Sequence, residues 1–244
     1  METIKTKAHG AISVFATSRG ANTNKFNRSA KLLKMFDALD SKLDGIIQRG
    51  RATLSEQFRC AVAVKMLMHT GIRTGNENSA EGYHSKIKRS VVKTYGVTTV
   101  LGIHATGSGK FIDLNFLGKR QVEQSYRVTN PKIVAPLRLL MQTVEENEVL
   151  FGISHYQLTK FVKKSVGKQF MPKDFRTLYA NINAWKAYEV IAKRPLPINK
   201  REFNSEIREV TEYVAEILGN TPSITKKSYI DDMLWSFMTT VRWD

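Results

Sequence analysis

The sequence predicts an α+β fold that is predominantly α-helical and contains one small antiparallel sheet. Apolar residues recur at spacings of three and four before residue 70 and again after residue 131, which is typical of amphipathic helices. Between these regions, residues 94–128 are rich in β-branched side chains and in turns with glycine, as expected for short strands. The order of helices, small sheet and helices suits one large domain in a chain of 244 residues.

The N-terminal residues 1–28 are predicted to form a basic, loosely ordered arm. They are polar, and they carry five lysine or arginine residues against a single glutamate. A short strand at residues 11–15 is an alternative for part of this segment. Such an arm can contact phosphate groups, although a solvated tail has the same composition. The main domain is expected at 29–244, made up of N-terminal helices (29–70), a β-meander region (71–130) and a helical core (131–244).

A first helix is predicted between Leu32 and Gly50, because apolar residues recur every three or four positions on one face. Asp37, Asp40 and Asp44 lie beside that face at helical spacing. A solvated acidic surface explains them better than a metal site does.

A second helix is predicted to run through His69. The spacing of Thr53 and Glu56 at its start is that of a capping box. Its residues 58–67 are apolar nearly all round, so we expect a central core helix. This helix contains Cys60, the only cysteine, which excludes a disulfide within the chain and suits a small buried side chain.

Three short strands are predicted in the middle of the chain. Residues 94–104 are rich in β-branched side chains, and residues 110–116 alternate between apolar and polar ones. Residues 122–128 supply the third strand, and turns at 107–109 and 118–120 separate the three. Together they form a small antiparallel meander.

Four more helices are predicted after the strands. Ser154 is the expected cap of the second, and Gly219 is the expected C-cap of the fourth. The four helices are expected at residues 132–143, 154–166, 173–193 and 203–218. After them, a basic turn marked by Pro222 leads to a helix whose first turns carry Tyr229.

The net charge is the strongest signal in the composition. Lys+Arg 38 against Asp+Glu 22 gives a net charge of +16, which is typical of proteins that bind a polyanion, and a basic protein with no partner is the alternative. No run approaches the roughly 18 apolar residues of a membrane span, and the N-terminus lacks the apolar segment of a signal peptide. An intracellular protein with no membrane association is therefore expected.

Several motifs of cofactor chemistry are absent from the sequence. The segment Gly107-Ser108-Gly109-Lys110 resembles a phosphate-binding loop, but His104 stands at the first required glycine and Phe111 follows the lysine. No dinucleotide fingerprint, zinc-ligand cluster or HExxH motif is present. The residues therefore give no reason to expect a metal, a nucleotide or a redox cofactor.

Basic residues stand at the ends of several predicted elements. Arg73 follows the core helix, Lys119 lies in the turn after the second strand, and Arg176 lies at the start of a helix. Asn220 precedes Tyr229 by nine residues. Taken singly, each is explained as a surface charge or a cap.

In order and spacing, the segments that carry these residues resemble the catalytic domain of type IB DNA topoisomerases, especially the poxvirus and bacterial branch. The resemblance extends over residues 55–235. The last segment resembles the family's Ser-Lys-x-x-Tyr signature, with Thr225 in place of serine. The matching segments are Gly71-Ile72-Arg73-Thr74-Gly75-Asn76-Glu77 through Gly82-Tyr83, Tyr95-Gly96-Val97-Thr98-Thr99, Phe116-Leu117-Gly118-Lys119, Lys173-Asp174-Phe175-Arg176-Thr177, Gly219-Asn220-Thr221-Pro222 and Thr225-Lys226-Lys227-Ser228-Tyr229.

The resemblance implies the fold of the DNA breaking-rejoining enzymes and an enzyme that relaxes supercoiled double-stranded DNA. Tyr229 would attack a phosphodiester and form a 3′-phosphotyrosyl intermediate. A phenol is almost fully protonated at neutral pH, so this nucleophile needs cations around it. Arg73 and Arg176 would stabilise the charge that develops on the phosphate. Lys119 would be the general acid, and Asn220 would donate a hydrogen bond.

Further residues are expected to contact DNA, and Lys110 among them is also a weaker alternative to Lys119 as general acid. They are Tyr83, Lys110, Lys173, Thr225, Lys226 and Lys227. Because one phosphoester bond replaces another, the resemblance implies no ATP, metal or other cofactor. The protein is expected to be monomeric.

Two features depart from the poxvirus pattern. Asn220 replaces a histidine, as in bacterial members, and its amide can donate a hydrogen bond but cannot carry a proton. Only about fifty residues precede the core helix. The N-terminal β-rich clamp domain of the poxvirus enzymes is therefore expected to be missing, reduced or supplied by another chain.

Two other functions remain as alternatives. A site-specific tyrosine recombinase or integrase shares the fold and most of the catalytic set, but it usually has a histidine three positions before the second arginine, where Lys173 stands here. A non-catalytic DNA-binding protein of the same fold is the other alternative. The presence of Arg73, Lys119, Arg176 and Tyr229 together argues against it.

Overall fold

A computed structural model describes residues 23–85, 90–107 and 109–243, and for residues 23, 24, 83–85 and 90 it describes the backbone alone. Within this part of the chain there are ten α-helices and five strands. The helices are α1 (Thr23–Lys34), α2 (Phe36–Gly50), α3 (Glu56–Thr70), α4 (Glu77–Glu81), α5 (Pro131–Met141), α6 (His155–Ser165), α7 (Pro172–Ile191), α8 (Lys200–Leu218), α9 (Pro222–Ser228) and α10 (Asp232–Arg242). The strands are β1 (Tyr83–Ser85), β2 (Ser90–Val92), β3 (Ala105–Thr106), β4 (Ile112–Gly118) and β5 (Val122–Val128).

Strands β3, β4 and β5 form the three-stranded antiparallel sheet that the sequence predicts. β4 and β5 pair along their whole length, from Ile112 opposite Val128 to Gly118 opposite Val122. Alternate residues of β4 are buried, which agrees with the predicted period of two. The predominantly helical α+β fold is thereby confirmed. A second hairpin, formed by β1 and β2, was not predicted.

The predicted first strand at residues 94–104 is wrong. Residues 97–99 form a turn, Gly102–His104 is a short 3-10 helix, and the strand that joins the sheet is only Ala105–Thr106. Most of the β-branched side chains in this segment are buried in a loop rather than in a sheet, and Ile103 is exposed. Its backbone is satisfied by other loops, since the Val97 amide donates to the Arg73 carbonyl over 2.8 Å.

The described chain divides into two compact units, and neither break coincides with a predicted boundary. One unit contains the described residues up to Met35 together with residues 174–244, and the other contains residues 36–173. The single helix predicted between Leu32 and Gly50 is accordingly two helices, α1 and α2, with Met35 between them. Residues 23–28, assigned above to a loosely ordered arm, instead form the first turns of α1; the rest of that arm, with the predicted strand at 11–15, lies outside the described residues.

Helix α3 lies at the core of the unit formed by residues 36–173, as predicted. Its residues from Cys60 to Met68 are all buried, and it packs against α2, α5 and α6. The N-cap of the helix lies two residues after the predicted one. Its N-cap is Ser55, whose hydroxyl accepts a hydrogen bond from the Phe58 amide over 3.3 Å, rather than Thr53.

Asp40 and Asp44 of α2 are not part of the solvated acidic surface that the sequence indicated, whereas Asp37 is exposed. Asp40 and Asp44 both pair with Lys65 of α3, a lysine with no exposed side-chain area. Asp40 also contacts His69 over 2.8 Å, and Asp44 contacts Lys132 over 2.8 Å. A buried ammonium group needs such partners, because desolvation of an isolated charge is very unfavourable.

The core of the other unit is formed by α7, α8 and α10. Ala180, Trp185 and Val214 are among its buried members, with Ile230 from the segment that follows α9. Helix α8 ends as predicted at Gly219, which has a left-handed conformation with φ of 57°. The Gly219 amide bonds back to carbonyl groups of the last turn, so the chain turns sharply into α9.

Candidate active site

Arg73 lies in a loop that is fixed by a second loop. The Val97 amide donates to the Arg73 carbonyl over 2.8 Å, and the Thr98 amide donates to the Thr74 carbonyl over 2.7 Å. A Cβ atom at Gly96 would lie only 2.6 Å from the Arg73 carbonyl oxygen, so only glycine permits this close approach. The Arg73 side chain is half-buried. The two loops thus hold this guanidinium on a well-defined backbone.

Lys119 stands at the tip of the β4–β5 hairpin, where its side chain is exposed. The three-residue tip continues through Arg120 and Gln121, which both have left-handed backbone conformations with φ of 65° and 62°. Such conformations are unfavourable for residues other than glycine, asparagine and aspartate, and they are typical of functional turns. The Tyr95 amide donates to the Leu117 carbonyl over 2.8 Å, so the loop that fixes Arg73 also contacts the strand before Lys119.

Arg176 is buried in the first turns of α7, with only 4% of its surface exposed. One of its terminal nitrogens donates to the Leu218 carbonyl at the end of α8. Its guanidinium carbon lies 5.4 Å from the centre of the Tyr229 ring. At this distance a cation is attracted by the face of an aromatic ring, so the contact fixes the arginine and the phenol relative to each other.

Tyr229 is the C-cap residue of α9, so it follows a short helix rather than beginning one as predicted. Its amide donates to the Thr225 carbonyl over 3.0 Å, and its side chain is half-buried. The sequence suggested a helix start because Pro222 and the following hydroxyl residues are helix-initiating signals. Those signals belong to α9, which has Thr221 as its N-cap and is only seven residues long.

Asn181 of α7 supports the tyrosine segment and was not found from the sequence. Its side-chain amide nitrogen donates to the Tyr229 carbonyl over 2.9 Å and to the Thr177 carbonyl over 2.8 Å. Its side-chain oxygen accepts from the Asp231 amide over 2.9 Å. The available signal was a polar residue among the apolar rows of a helix, since a buried asparagine is rarely left without hydrogen bonds.

Asn220 follows the left-handed Gly219 and is half-buried. Its backbone amide donates to the Ala215 carbonyl over 2.9 Å. This contact belongs to the C-terminal cap of α8, so the asparagine is positioned by the helix end and not by a mobile loop.

The residues predicted to contact DNA have different exposures. Lys110, Lys173, Lys226 and Lys227 are exposed, and the Lys226 ammonium lies 5.4 Å from the Trp235 ring centre. Thr225 is fully buried, so in this conformation none of its atoms is accessible to DNA. For Tyr83 the backbone lies in β1, and its side chain lies outside the described part of the structure.

The predicted catalytic residues are thus distributed over both units. Arg73 and Lys119 lie in the unit of residues 36–173, while Arg176, Asn220 and Tyr229 lie in the other. Within each unit the residues are held by backbone hydrogen bonds and helix ends.

Comparison with known proteins assigns the chain to a family. Residues 16–238 match the family model described as "Eukaryotic DNA topoisomerase I, catalytic core". The chain belongs to the DNA topoisomerase I family. The resemblance to type IB DNA topoisomerases inferred from the sequence is therefore confirmed.

Members of the DNA topoisomerase I family from viruses are similar to the chain. It is 24% identical over 224 residues to DNA topoisomerase 1B of Acanthamoeba polyphaga mimivirus, covering 87% of this chain and 63% of the viral protein. It is 29% identical over 153 residues to DNA topoisomerase 1 of Rabbit fibroma virus, covering 60% and 46%. For DNA topoisomerase 1B of Vaccinia virus the identity is 29% over 144 residues, covering 57% and 43%. The chain therefore spans less than two thirds of the length of these topoisomerases.

Two further findings concern metal ions and membranes. In the described residues, no group of three or more histidine, cysteine, aspartate or glutamate side chains could hold a metal ion. None of the described helices is both long enough and apolar enough to cross a membrane.

Proposed function

We propose that this protein is a type IB DNA topoisomerase, which relaxes supercoiled double-stranded DNA by breaking and rejoining one strand. One observation carries the proposal. The Arg176 guanidinium lies 5.4 Å from the Tyr229 ring centre in a chain whose residues 16–238 match the topoisomerase catalytic core. A cation beside a phenol is the arrangement that prepares a tyrosine to attack an anionic phosphate.

In the first step, the Tyr229 phenol loses its proton to water, and its oxygen attacks the phosphorus of a backbone phosphodiester. A bond from phosphorus to the phenolic oxygen forms, and the bond from phosphorus to the 5′-oxygen breaks. The products are a 3′-phosphotyrosyl enzyme and a DNA strand with a free 5′-hydroxyl. Rejoining is the same exchange in reverse, with the 5′-hydroxyl as nucleophile and the phenol as leaving group.

The other residues stabilise this exchange. Arg73 and Arg176 donate to the non-bridging oxygens, where negative charge builds up, because a guanidinium is planar and permanently charged. Loss of one such donor typically reduces the rate by about 10²–10³-fold. Asn220 is an uncharged hydrogen-bond donor to the same phosphate.

Lys119 supplies the proton that the departing 5′-oxygen needs, because an alkoxide is a poor leaving group in water. General acid catalysis of this kind contributes roughly 10²–10⁴-fold. An exposed lysine at a hairpin tip suits this role, since DNA can approach its side chain. Because one phosphoester replaces another, the scheme contains no step that consumes ATP.

The experiment that tests the proposal compares the wild type with Tyr229→Phe. The wild type is expected to relax supercoiled plasmid in the presence of EDTA and without ATP, and to be trapped covalently on the 3′ end of a nicked strand when the reaction is stopped with detergent. Tyr229→Phe is expected to do neither, while Tyr213→Phe, on an exposed tyrosine of α8, keeps both activities. Relaxation by Tyr229→Phe would contradict the assignment of the nucleophile. Strand exchange between two sites without relaxation would favour a tyrosine recombinase.

A further inference from the structure

Helix α1 is joined to the start of α7 by a salt bridge with two hydrogen bonds. The Arg28 Nε donates to Asp174 Oδ2 over 2.9 Å, and a terminal nitrogen of Arg28 donates to Oδ1 over 3.1 Å. The Asp174 side chain has no exposed area, and that of Arg28 is 25% exposed. A bidentate pair of this kind fixes both the distance and the angle between the two side chains.

The position of Asp174 makes this pair relevant to the active site. Asp174 precedes Arg176 by two residues in the first turn of α7. Side chains two positions apart on a helix do not face each other, so the buried carboxylate acts on the site through its electric field, which opposes the binding of an anionic phosphate where water is excluded. Arg28 supplies a positive charge that compensates this field.

The same helix also contacts the tyrosine segment. The Lys25 ammonium donates to the carbonyl of Ser228, the residue before Tyr229 and the last residue of α9. A cation at the C-terminus of a helix satisfies a carbonyl group that has no partner within the helix.

The apolar face of α1 is buried beside α7 and α10. Ala30 and Leu33 of α1, Leu178 and Trp185 of α7, and Leu234 of α10 line one small cavity of about 20 Å³. The two polar contacts of α1 are therefore made by a helix whose residues Ala30, Leu32 and Leu33 are buried.

We propose that α1 is a positioning element of the unit that contains Arg176 and Tyr229. Arg28 acts on Arg176 through Asp174, and Lys25 acts on Tyr229 through the Ser228 carbonyl. Neither residue touches the substrate, and their effect is on the placement and the charge environment of the groups that do. The inference rests on the proposed topoisomerase function.

The decisive experiment measures the single-turnover rate of covalent attachment to a nicked DNA duplex, together with the affinity for that duplex. Arg28→Ala is expected to lower the attachment rate by about 10²-fold, since a small misplacement of a catalytic group has effects of this size. DNA affinity is expected to change by less than about threefold, because only one of many cations is removed and it is already paired.

The double variant Arg28→Ala with Asp174→Asn separates charge compensation from packing. If Arg28 acts by neutralising Asp174, removal of the carboxylate charge restores the attachment rate to within about tenfold of the wild type. If Arg28 serves only to hold the helix, the second substitution weakens the structure further and the double variant is no faster than Arg28→Ala.

A matched control is available in the same unit. Arg194 forms a bidentate salt bridge with Glu209, with both nitrogen–oxygen distances at 2.7 Å, on an exposed surface. Arg194→Ala removes the same chemical group from a salt bridge to Glu209 of α8, at a position beyond the C-terminal end of α7. It is expected to leave the attachment rate within about twofold of the wild type.

The outcomes distinguish this inference from the proposed function. A wild type that neither relaxes plasmid nor attaches to DNA contradicts both. A wild type that is active, with a folded Arg28→Ala variant that attaches at the same rate, overturns the role of α1 alone. If circular dichroism shows that Arg28→Ala does not fold, Arg28→Gln takes its place, and attachment at the wild-type rate by that uncharged variant overturns the inference in the same way.

Discussion

The Asn181 side chain holds the backbone on both sides of Ile230. It bonds to the Tyr229 carbonyl over 2.9 Å and to the Asp231 amide over 2.9 Å. Asn181→Ala leaves these buried groups without their partner, and each such loss costs about 1–3 kcal/mol. We expect lower thermal stability and a lower rate of covalent attachment to DNA, because the tyrosine loses its fixed backbone.

The control for this prediction is Asn183→Ala on the same helix. Among the described residues, the Asn183 amide bonds within α7, to the Tyr179 carbonyl over 2.8 Å. We therefore expect a smaller loss of stability, measured by thermal denaturation, and an unchanged attachment rate. Equal attachment rates for the two alanine variants would show that Asn181 does not support the nucleophile.

Asp40 is expected to make the stability of the protein depend on acidic pH. Burial raises the pKa of this carboxyl, but hydrogen bonds from His69 and Lys65 and the charges of those groups outweigh burial and lower the pKa from 3.8 to about 2. Because the folded pKa is below the unfolded one, the carboxylate stabilises the fold above about pH 4. This contribution is lost as the pH falls from about 4 to about 2.

The pH prediction is checked by urea denaturation of the wild type and Asp40→Asn at a series of pH values between 2 and 6. The free energy of unfolding of Asp40→Asn should fall less steeply between pH 4 and pH 2. Parallel curves for the two proteins would mean that the acid dependence arises from other carboxyl groups.

At the scale of elements, the sequence predicted those structures whose signal is local. Helices α5 to α8 have bounds close to the predicted ones, because their apolar periodicity and caps lie within the helices themselves. The segment of residues 94–104 was misassigned because its β-branched residues suit any buried extended backbone. Its true partners are Arg73 and Thr74, more than twenty residues earlier, and no local pattern reveals such a contact.

The catalytic residues of the candidate site stay a prediction. Arg73, Lys119, Arg176 and Tyr229 were assigned by their order along the chain, since a motif preserves spacing even where the local structure is misjudged. The supporting contacts of α1 and Asn181 were not found, because they join residues far apart in sequence through single hydrogen bonds.

Helix α6 presents a basic face that we expect to bind the DNA backbone. Tyr156 is 72% exposed, and Lys160, Lys163 and Lys164 follow it at helical spacing with exposed side chains. Substitution of the three lysines by glutamine should reduce the slope of log affinity against log salt concentration by about 0.9 for each phosphate that the protein no longer neutralises. Fluorescence anisotropy of a labelled duplex at several salt concentrations measures this slope.

The matched control removes three cations that carboxylates of the protein already neutralise. Arg127, Lys132 and Arg194 pair with Asp113, Asp44 and Glu209 at distances of 2.7–2.8 Å. Their substitution by glutamine lowers the net charge by the same amount but should change the salt slope little. Equal slopes for the two triple variants would show that the salt dependence of binding follows the net charge and not the basic face of α6.

For the whole molecule, the net charge of +16 should determine how the proposed relaxation of DNA depends on salt. DNA affinity falls steeply with salt when many phosphates are contacted, whereas the exchange of one phosphoester for another leaves the number of neutralised phosphates unchanged. At low salt, one binding event should relax a plasmid completely, so that fully relaxed and untouched plasmids coexist. At higher salt the protein should dissociate between cleavage events, and all plasmids should pass together through a ladder of intermediate topoisomers.

Gel electrophoresis of time points at about 50 and 200 mM salt distinguishes the two patterns, and these concentrations span a range in which affinity changes by several orders of magnitude. An unchanged pattern would mean that DNA binding is not mainly electrostatic. The single-turnover attachment rate, measured at saturating protein, should change far less between the two salt concentrations than the pattern of topoisomers does.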